Sequence, residues 1–503
     1  MARAAALALT FLVVAPGAAQ FSALNRLELQ AGNTPFTKPV GLTTAFQQLN
    51  LRYDAGDLQL ALRAEQFLTG KLESPGGTSV GDRRYANLSQ VRASFSRSGF
   101  TARAGHFYDI LGRGLLLRGF EIPGATYEDA AFRIRQSFQR DIEGASVSFA
   151  SRRFEFQALR GRPLVSVLPP TLSRSDRRPD LVSAVSGSVR PGPVQIGGVW
   201  LRHESDAKDS DFGSIFVNWS GLDGLSAYVE LARELGQDGG LLEGRHALYT
   251  SVSFGRPGVG GSLEYKDYTD FFLGSGFNDP PSLVREHSWV VLNRSTHVLN
   301  VVQETGFQLE LYASSGKAGS VIVNGTRAVN DFGQDFVYRE FFVEYTAPAL
   351  GVMTAKAFVD LAEDPLKGHS GRTAAGVYLD RRLANGWSVS VSGEAQRFDR
   401  EFIEPAEAHN LVGGVTVSLS SKYSAGLVIE RSTDVFMTDD PRTPAIEEDA
   451  RYWLGANLGW RPNRRHSLAL FGGTRRGGPA CTSGICYEVL DFTGAELRIT
   501  SRF

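Results

Sequence analysis

Chemistry in this chain would have to come from a few places, because it holds only eight histidines and two cysteines. Cys481 and Cys486 stand in Gly477-Gly-Pro-Ala-Cys-Thr-Ser-Gly-Ile-Cys-Tyr487, read as the last long outer loop. Zinc would want four ligands, and no histidine is near. If the chain is exported, two cysteines with a glycine between them favour a small disulfide ring that stiffens the loop. A redox or free-thiol role is the alternative. His287 follows Glu286, but neighbours in a strand point to opposite faces, so the pair reads as ordinary wall rather than base and orienting group. Acids cluster at Asp206, Asp209 and Asp211, and at Asp439-Asp440 and Glu447-Glu-Asp449. Such clusters can hold Ca²⁺ or bridge to lipopolysaccharide, but no EF-hand spacing is present, and solvated loop charge is the simpler account.

The most distinctive internal stretch is Gly105-His-Phe-Tyr-Asp-Ile-Leu-Gly-Arg-Gly-Leu-Leu-Leu-Arg-Gly-Phe-Glu121. Its glycines allow sharp turns that set Arg113 and Arg118 at defined positions. One reading is an inward-folded loop that narrows a pore with an anion-attracting pair of arginines. The other is a loop packed on a wall, its arginines paired to lumen acids. It is not a phosphate loop, since the Gly-Lys-Ser/Thr ending and the following helix are missing. A second stretch, Asn278 to Arg294, starts its strand after Pro280-Pro281, which cannot donate backbone hydrogen bonds. There Trp289 would suit an interfacial girdle. No nucleophile, base and orienting group can be assembled on one face, so an enzyme is not expected, and neither cofactor nor metal is implied.

What would position these residues is a repeated unit of about ten alternating residues, a tight turn, a second such strand and a longer polar loop. Leu58, Leu60 and Leu62 alternate with Gln59, Ala61 and Arg63; Leu225, Ala227, Val229 and Leu231 alternate with Ser226, Tyr228, Glu230 and Ala232. Tight connections are expected at Ser98-Gly99, Arg190 to Pro193, Arg256 to Gly258, Ala384 to Gly386, Ser420 to Lys422 and Arg461 to Asn463. Longer ones fall near 69–83, 163–180, 203–210, 234–244, 268–284, 315–335, 398–408, 433–449 and 475–490. Short connections on one rim and long ones on the other is the asymmetry of bacterial membrane barrels. Counting units from Ser22 predicts about 24 antiparallel strands, an even number that returns both ends to one side; a membrane hairpin within 109–141 would make it about 26. Strands are predicted at 285–293 and at 305–314, with nothing between 315 and 335.

Lysines and arginines (53) nearly balance acids (54), so nothing argues for nucleic acid as a partner. Residues 1–20, with Arg3, an apolar run from Ala4 to Ala15, Pro16-Gly17 and Ala18-Ala19, have the layout of a secretory signal peptide, too short for a membrane anchor. Residues 21–503 then form one barrel domain. Charge at the bilayer midplane costs about 2–4 kcal/mol, so charged strand residues are assigned to the lumen. These are Arg63, Glu65, Glu230, Glu264, Lys266, Glu310, Glu340, Glu344, Lys356, Asp360, Glu394, Glu430, Glu496 and Arg498, joined by Arg113 and Arg118 as pore-lining candidates. A lining of both signs suits water and weakly selected polar solutes, or else a net of salt bridges that holds the lumen shut.

The closing stretch Phe492 to Phe503 alternates Ala495, Leu497 and Ile499 against Glu496, Arg498 and Thr500. Ending on Phe503, it resembles the last strand of Gram-negative outer-membrane β-barrels, which implies that Phe503 acts as an assembly signal. Gly105–Glu121, Asn278–Arg294 and Gly472–Phe503 together are similar to a family of porin-like outer-membrane barrel proteins. That resemblance implies an integral outer-membrane location with periplasmic ends. Its implied partners are membrane lipid, lipopolysaccharide, periplasmic chaperones and the barrel-assembly machinery; it carries no substrate. The function expected is a passive channel for small hydrophilic solutes; the alternative is a scaffold barrel that holds a surface or secretion protein.

Overall fold

The strand Gln20–Asn33 is paired on both edges, to Gly41–Ala55 on one side and to the last strand, Phe492–Arg502, on the other. Leu24 stands opposite Arg502 and Asn33 opposite Thr493, so the sheet closes on itself. Twenty-four antiparallel strands make this ring, each hydrogen-bonded to the next in the wall. The computed structural model describes residues 20–503 except 34–40, 72–83, 130–132, 299–301, 317, 349–351, 403–404, 439–449 and 483–484. The signal-peptide reading and the acids at 439–440 and 447–449 therefore lie outside the described residues, Gln20 apart.

Burial is inverted relative to a protein folded in water. Leu427, Ile429, Leu454 and Leu458 are exposed, while Glu230, Lys266, Asp360 and Glu496 are buried. Along Gln20–Asn33, Glu28 and Gln30 are covered and Leu29 is not, which fixes the polar side as the inside. Closure leaves no strand edge without a partner, the condition for a sheet to stand in hydrocarbon. The alternation then decides what each medium meets: side chains on the outer face are apolar and the inner face carries the charge. This is the architecture of a transmembrane β-barrel.

The tight connections at residues 98–99, 223–224 and 420–422 lie at one rim, as do the first and last described residues; the other rim carries the long connections, together with short ones at 332–334 and 365–368. Close backbone approach marks the seam. Gly455, Gly473, Gly494 and Gly32 stand opposite one another in register across four neighbouring strands. A Cβ on Gly473 would sit 2.2 Å from the Leu454 carbonyl oxygen, and φ there is +124°. Glycine lets the strands coil tightly at this line.

The total of 24 is as expected, but its membership is not. Gly319–Asp331 is a wall strand, in the stretch expected to be a loop. Residues 285–293 form no strand; they belong to a segment that leaves the wall and contains the short helix Val290–Arg294. Both departures have the same cause. The inward face of Gly319–Asp331 is polar, with buried Asn324, Thr326 and Asn330, and its Asn324-Gly325 reads as a turn. The run Trp289-Val-Val-Leu292 is apolar because it is packed among other side chains, and a short apolar run does not separate strand from buried segment.

The wall makes a directional prediction. Leu427, exposed at the middle of Tyr423–Ser432, faces the lipid side, and Asn457 on the adjacent strand is an inward residue still open to solvent. Leu427→Arg is expected to destabilise the barrel by about 2–4 kcal/mol, and Asn457→Arg by less than about 1 kcal/mol. Urea titration of folding into lipid vesicles checks both.

Candidate functional site

Three connections at the long rim turn inward and meet inside the ring: the described residues of 108–141, 270–302 and 476–491. The first carries a hairpin of Phe120–Glu128 with Arg135–Arg140. The second carries the helix Val290–Arg294, and the third a hairpin of Gly478–Thr482 with Ile485–Val489. They bond to one another. The Arg118 amide donates to the Phe277 carbonyl at 3.0 Å, Asp279 donates to Gly114 O at 3.1 Å, and Asn278 Nδ2 donates to Leu115 O at 3.1 Å. Phe138 and Tyr487 pack with ring centroids 5.0 Å apart, joining the first segment to the third. The result is one plug built from barrel connections.

Glycine chemistry explains how the first segment reaches the wall. Ile110–Leu111 pairs with Leu117–Arg118 around a turn whose Gly112 and Gly114 have φ of +58° and +87°. A Cβ on Gly112 would lie 2.2 Å from the Glu230 carboxylate. With hydrogen there instead, the Arg113 amide donates to Glu230 Oε2 at 2.8 Å. The Arg113 guanidinium lies over the Tyr228 ring at 4.8 Å, and Arg118 pairs with Asp279 at 2.9 Å. The described residues of 109–141 are thus inserted rather than spanning, which is the 24-strand alternative, and the two arginines are engaged within the plug instead of forming a ring.

The inward charges expected from alternation all point inward, and most end on the plug or on each other. Arg63 donates to Glu121 at 2.6 Å, and Glu65 accepts from the Ser89 hydroxyl at 2.8 Å and the Ser137 amide at 3.2 Å. Lys266 pairs with Glu304 and donates to the Ser282 carbonyl at 2.6 Å; Glu310 pairs with Arg285. Glu344 accepts from Trp289 Nε1 at 2.8 Å and lies 3.7 Å from Lys356. Glu394 accepts from the Val291 amide at 2.9 Å, and Glu430 holds Arg294 through two hydrogen bonds, one of them 2.9 Å. Glu264 accepts from the Tyr249 hydroxyl at 2.7 Å, and Arg498 reaches Glu496 at 2.7 Å.

The densest group is Arg372 with Glu340 at 2.9 Å and Asp360 at 3.0 Å, Arg372 also donating to the Ser295 carbonyl at 3.0 Å. His287 lies 3.2 Å from Glu340, so it is a plug residue docked on the wall, not a wall position. Trp289 is buried against Phe358 and is not part of a girdle. The Cys481–Cys486 disulfide forms as expected, but its hairpin is folded into the lumen, where Ile485 packs with Phe120 and Phe138. Sequence reading missed His297, Glu304 and Asp364, which meet only once the second segment is docked. No local spacing announces them.

At the end of that segment His297 lies 3.1 Å from Asp364 and 3.5 Å from Glu304, stacked on Tyr338. Burial disfavours its charged form, but the hydrogen bonds to Asp364 and Glu304 outweigh it, so its pKa is raised above the ordinary 6.5.

No protein-family model and no curated protein sequence matches the chain. Among solved structures, it is similar to the usher PapC in an Escherichia coli P pilus tip assembly intermediate, PapC-PapD-PapK-PapG. That match has TM-score 0.52 at 10% identity, over 96% of this chain and 60% of that one. The PapC translocation pore aligns at TM-score 0.46 and 9% identity, over 96% and 99% of the two chains. A BenF-like porin from Pseudomonas fluorescens Pf-5 aligns at TM-score 0.38 and 9% identity, over 97% and 98%. The first of these likenesses is one of fold: the chain shares the large closed barrel.

Two predictions follow from the docking contacts. Glu340→Ala removes one of the two carboxylates that hold the buried Arg372 guanidinium, Asp360 remaining, and is expected to cost about 1–3 kcal/mol, read as a lowered urea midpoint. His297 contributes through a raised pKa, so its contribution is complete below about pH 6.5 and is lost as pH climbs through the raised value. The stability gap between wild type and His297→Phe should therefore narrow with rising pH; a gap that widens would reverse the sign of the argument.

Proposed function

We propose that this chain is a passive outer-membrane channel for small hydrophilic solutes, with its lumen narrowed by its own inserted connections. Residues 1–20 act as the signal peptide, and residues 21–503 are the barrel. The rim with the tight connections faces the periplasm, and Phe503 serves as the assembly signal for the barrel machinery. One observation carries the reading: the inner face is charged and hydroxyl-rich, and it meets the plug largely through ion pairs and hydrogen bonds to backbone groups. Such contacts exchange with water at modest net cost, whereas an apolar seal would not. The candidates Arg63, Glu65, Lys266, Glu310, Glu340 and Glu344 then serve as docking points for the plug as well as lining, and Glu264, Lys356, Asp360 and Arg498 as lining. The neighbouring usher is recorded with PapD, PapK and PapG. A filled lumen gives a second reading some weight here, a scaffold barrel that holds a surface or secretion partner.

Current through a planar bilayer decides between them. Wild type should give small discrete steps, and a variant with the hairpin 478–489 shortened to a Gly-Ser turn should give larger ones. Silence from both, with sheet-rich circular dichroism showing both folded, would contradict the channel and leave the scaffold.

A further inference from the structure

The plug does not press equally on the whole wall. Between helix Val290–Arg294 and the strands Tyr423–Ser432, Arg451–Trp460 and His466–Arg475 lies a cavity of about 580 Å³, lined by Val428, Glu430, Gly455, Asn457 and Phe471. A second cavity continues it toward the tight-turn rim along the same strands, lined on its inner side by Ser424, Gly459, Ser467 and Ala469, with Ser418, Thr500 and Arg498, the last paired to Glu496, from neighbouring strands. The first four are the next inward positions on each strand, Asn457 followed by Gly459 and Phe471 preceded by Ala469, and all are small. At the rim a third hollow of about 600 Å³ opens among Lys422, Arg461, Arg464, Arg465 and Arg502.

The charge along this lane has one sign. No acid lines the rim hollow or the cavity above it, and among the described residues none of those five cations has a carboxylate within 4 Å. Elsewhere on the same rim Arg97 lies 3.8 Å from Asp57 and Arg190 3.1 Å from Glu155, and Arg152, Arg153 and Arg256 have no carboxylate within 4 Å among the described residues either; what sets this sector apart is that five cations gather around one hollow. The one acid in the inner cavity, Glu430, is taken up by Arg294. At the inner end Arg476 donates to Asn410 at 2.9 Å and stacks on Trp453, but it has no carboxylate within 4 Å among the described residues, and its Nε is buried without a hydrogen-bond partner. A guanidinium so placed at the head of a cavity has donor capacity left over.

We propose that this lane is the solute path of the channel and that it takes small anions, carboxylates or phosphates, gathered by the five cations at the rim and received by Arg476. The proposal rests on the channel reading above and adds the solute class and the route. Clustered cations at a mouth with low-dielectric walls focus the field and raise the local anion concentration, which is how a short stretch of rim can set selectivity. Arg113 and Arg118, engaged elsewhere in the plug, lie off this route. The inner cavity is bounded by Gly478 to Cys481 of the disulfide hairpin.

The experiment is the reversal potential of the full-length protein in planar bilayers under a KCl gradient. Wild type should prefer chloride. The triple variant Lys422→Glu, Arg461→Glu, Arg465→Glu should lower the chloride-to-potassium permeability ratio by about tenfold, and Arg476→Gln should weaken block of the current by added phosphate. The double variant Arg152→Glu, Arg153→Glu, on another part of the same rim, should leave the ratio near its wild-type value. Conductance with no chloride preference, or a ratio unmoved by the triple variant, overturns the anion lane while the channel stands. Absence of current from wild type and from the shortened-hairpin variant removes the channel and the lane together.

Discussion

The structure depends on one constraint: a charged group in a membrane wall cannot face hydrocarbon, and once turned inward it still needs a partner. The first half of the constraint sets the alternation along every strand. The second half accounts for the plug. Glu230, Glu340, Glu394 and Glu430 are buried on the inner face, and each is met by an amide or a cation supplied by an inserted segment or by a neighbouring strand. The contacts are reciprocal. Backbone that leaves the wall at membrane depth is tolerated only where protein or water can satisfy it, and the wall's carboxylates satisfy the Arg113 and Val291 amides.

Buried ion pairs add little net stability over apolar packing, yet breaking one strands its partner. They therefore fix the position of the plug more than they deepen the fold. The sector along the last strands shows the complement. Where Ser424, Gly459, Ser467 and Ala469 offer nothing to dock on, the plug stands off and space is left.

Much of this could be seen in the residues themselves. Leu225, Val229 and Leu231 alternating with Tyr228 and Glu230 need no tertiary information to declare two faces, and tight turns such as Ser420 to Lys422 declare themselves through residue type. The closing strand was equally plain. What stayed hidden depends on packing between distant parts of the chain. Gly319–Asp331 fails the hydrophobic test because its covered face meets polar neighbours, and Trp289 to Leu292 passes it because the helix is buried by Phe342 and Phe358. The disulfide follows from two cysteines five residues apart, but its place inside the lumen depends on Phe120 and Phe138, more than 340 residues earlier. Alternation identified inward charges correctly and could not say that they would be spent on holding a plug.

The described residues of 108–141, 270–302 and 476–491 are docked inside the ring, and the most direct test of that docking is a covalent one. Gln48 on the wall and Ser137 on the inserted hairpin are in hydrogen-bond contact. In the double variant Gln48→Cys, Ser137→Cys, mild oxidation of intact membranes should link the two positions rapidly and shift the mobility of the denatured chain. If no link forms while a control pair across two adjacent wall strands, Val415→Cys with Leu427→Cys, does link, the hairpin is not where the structure puts it, and the plugged barrel is wrong.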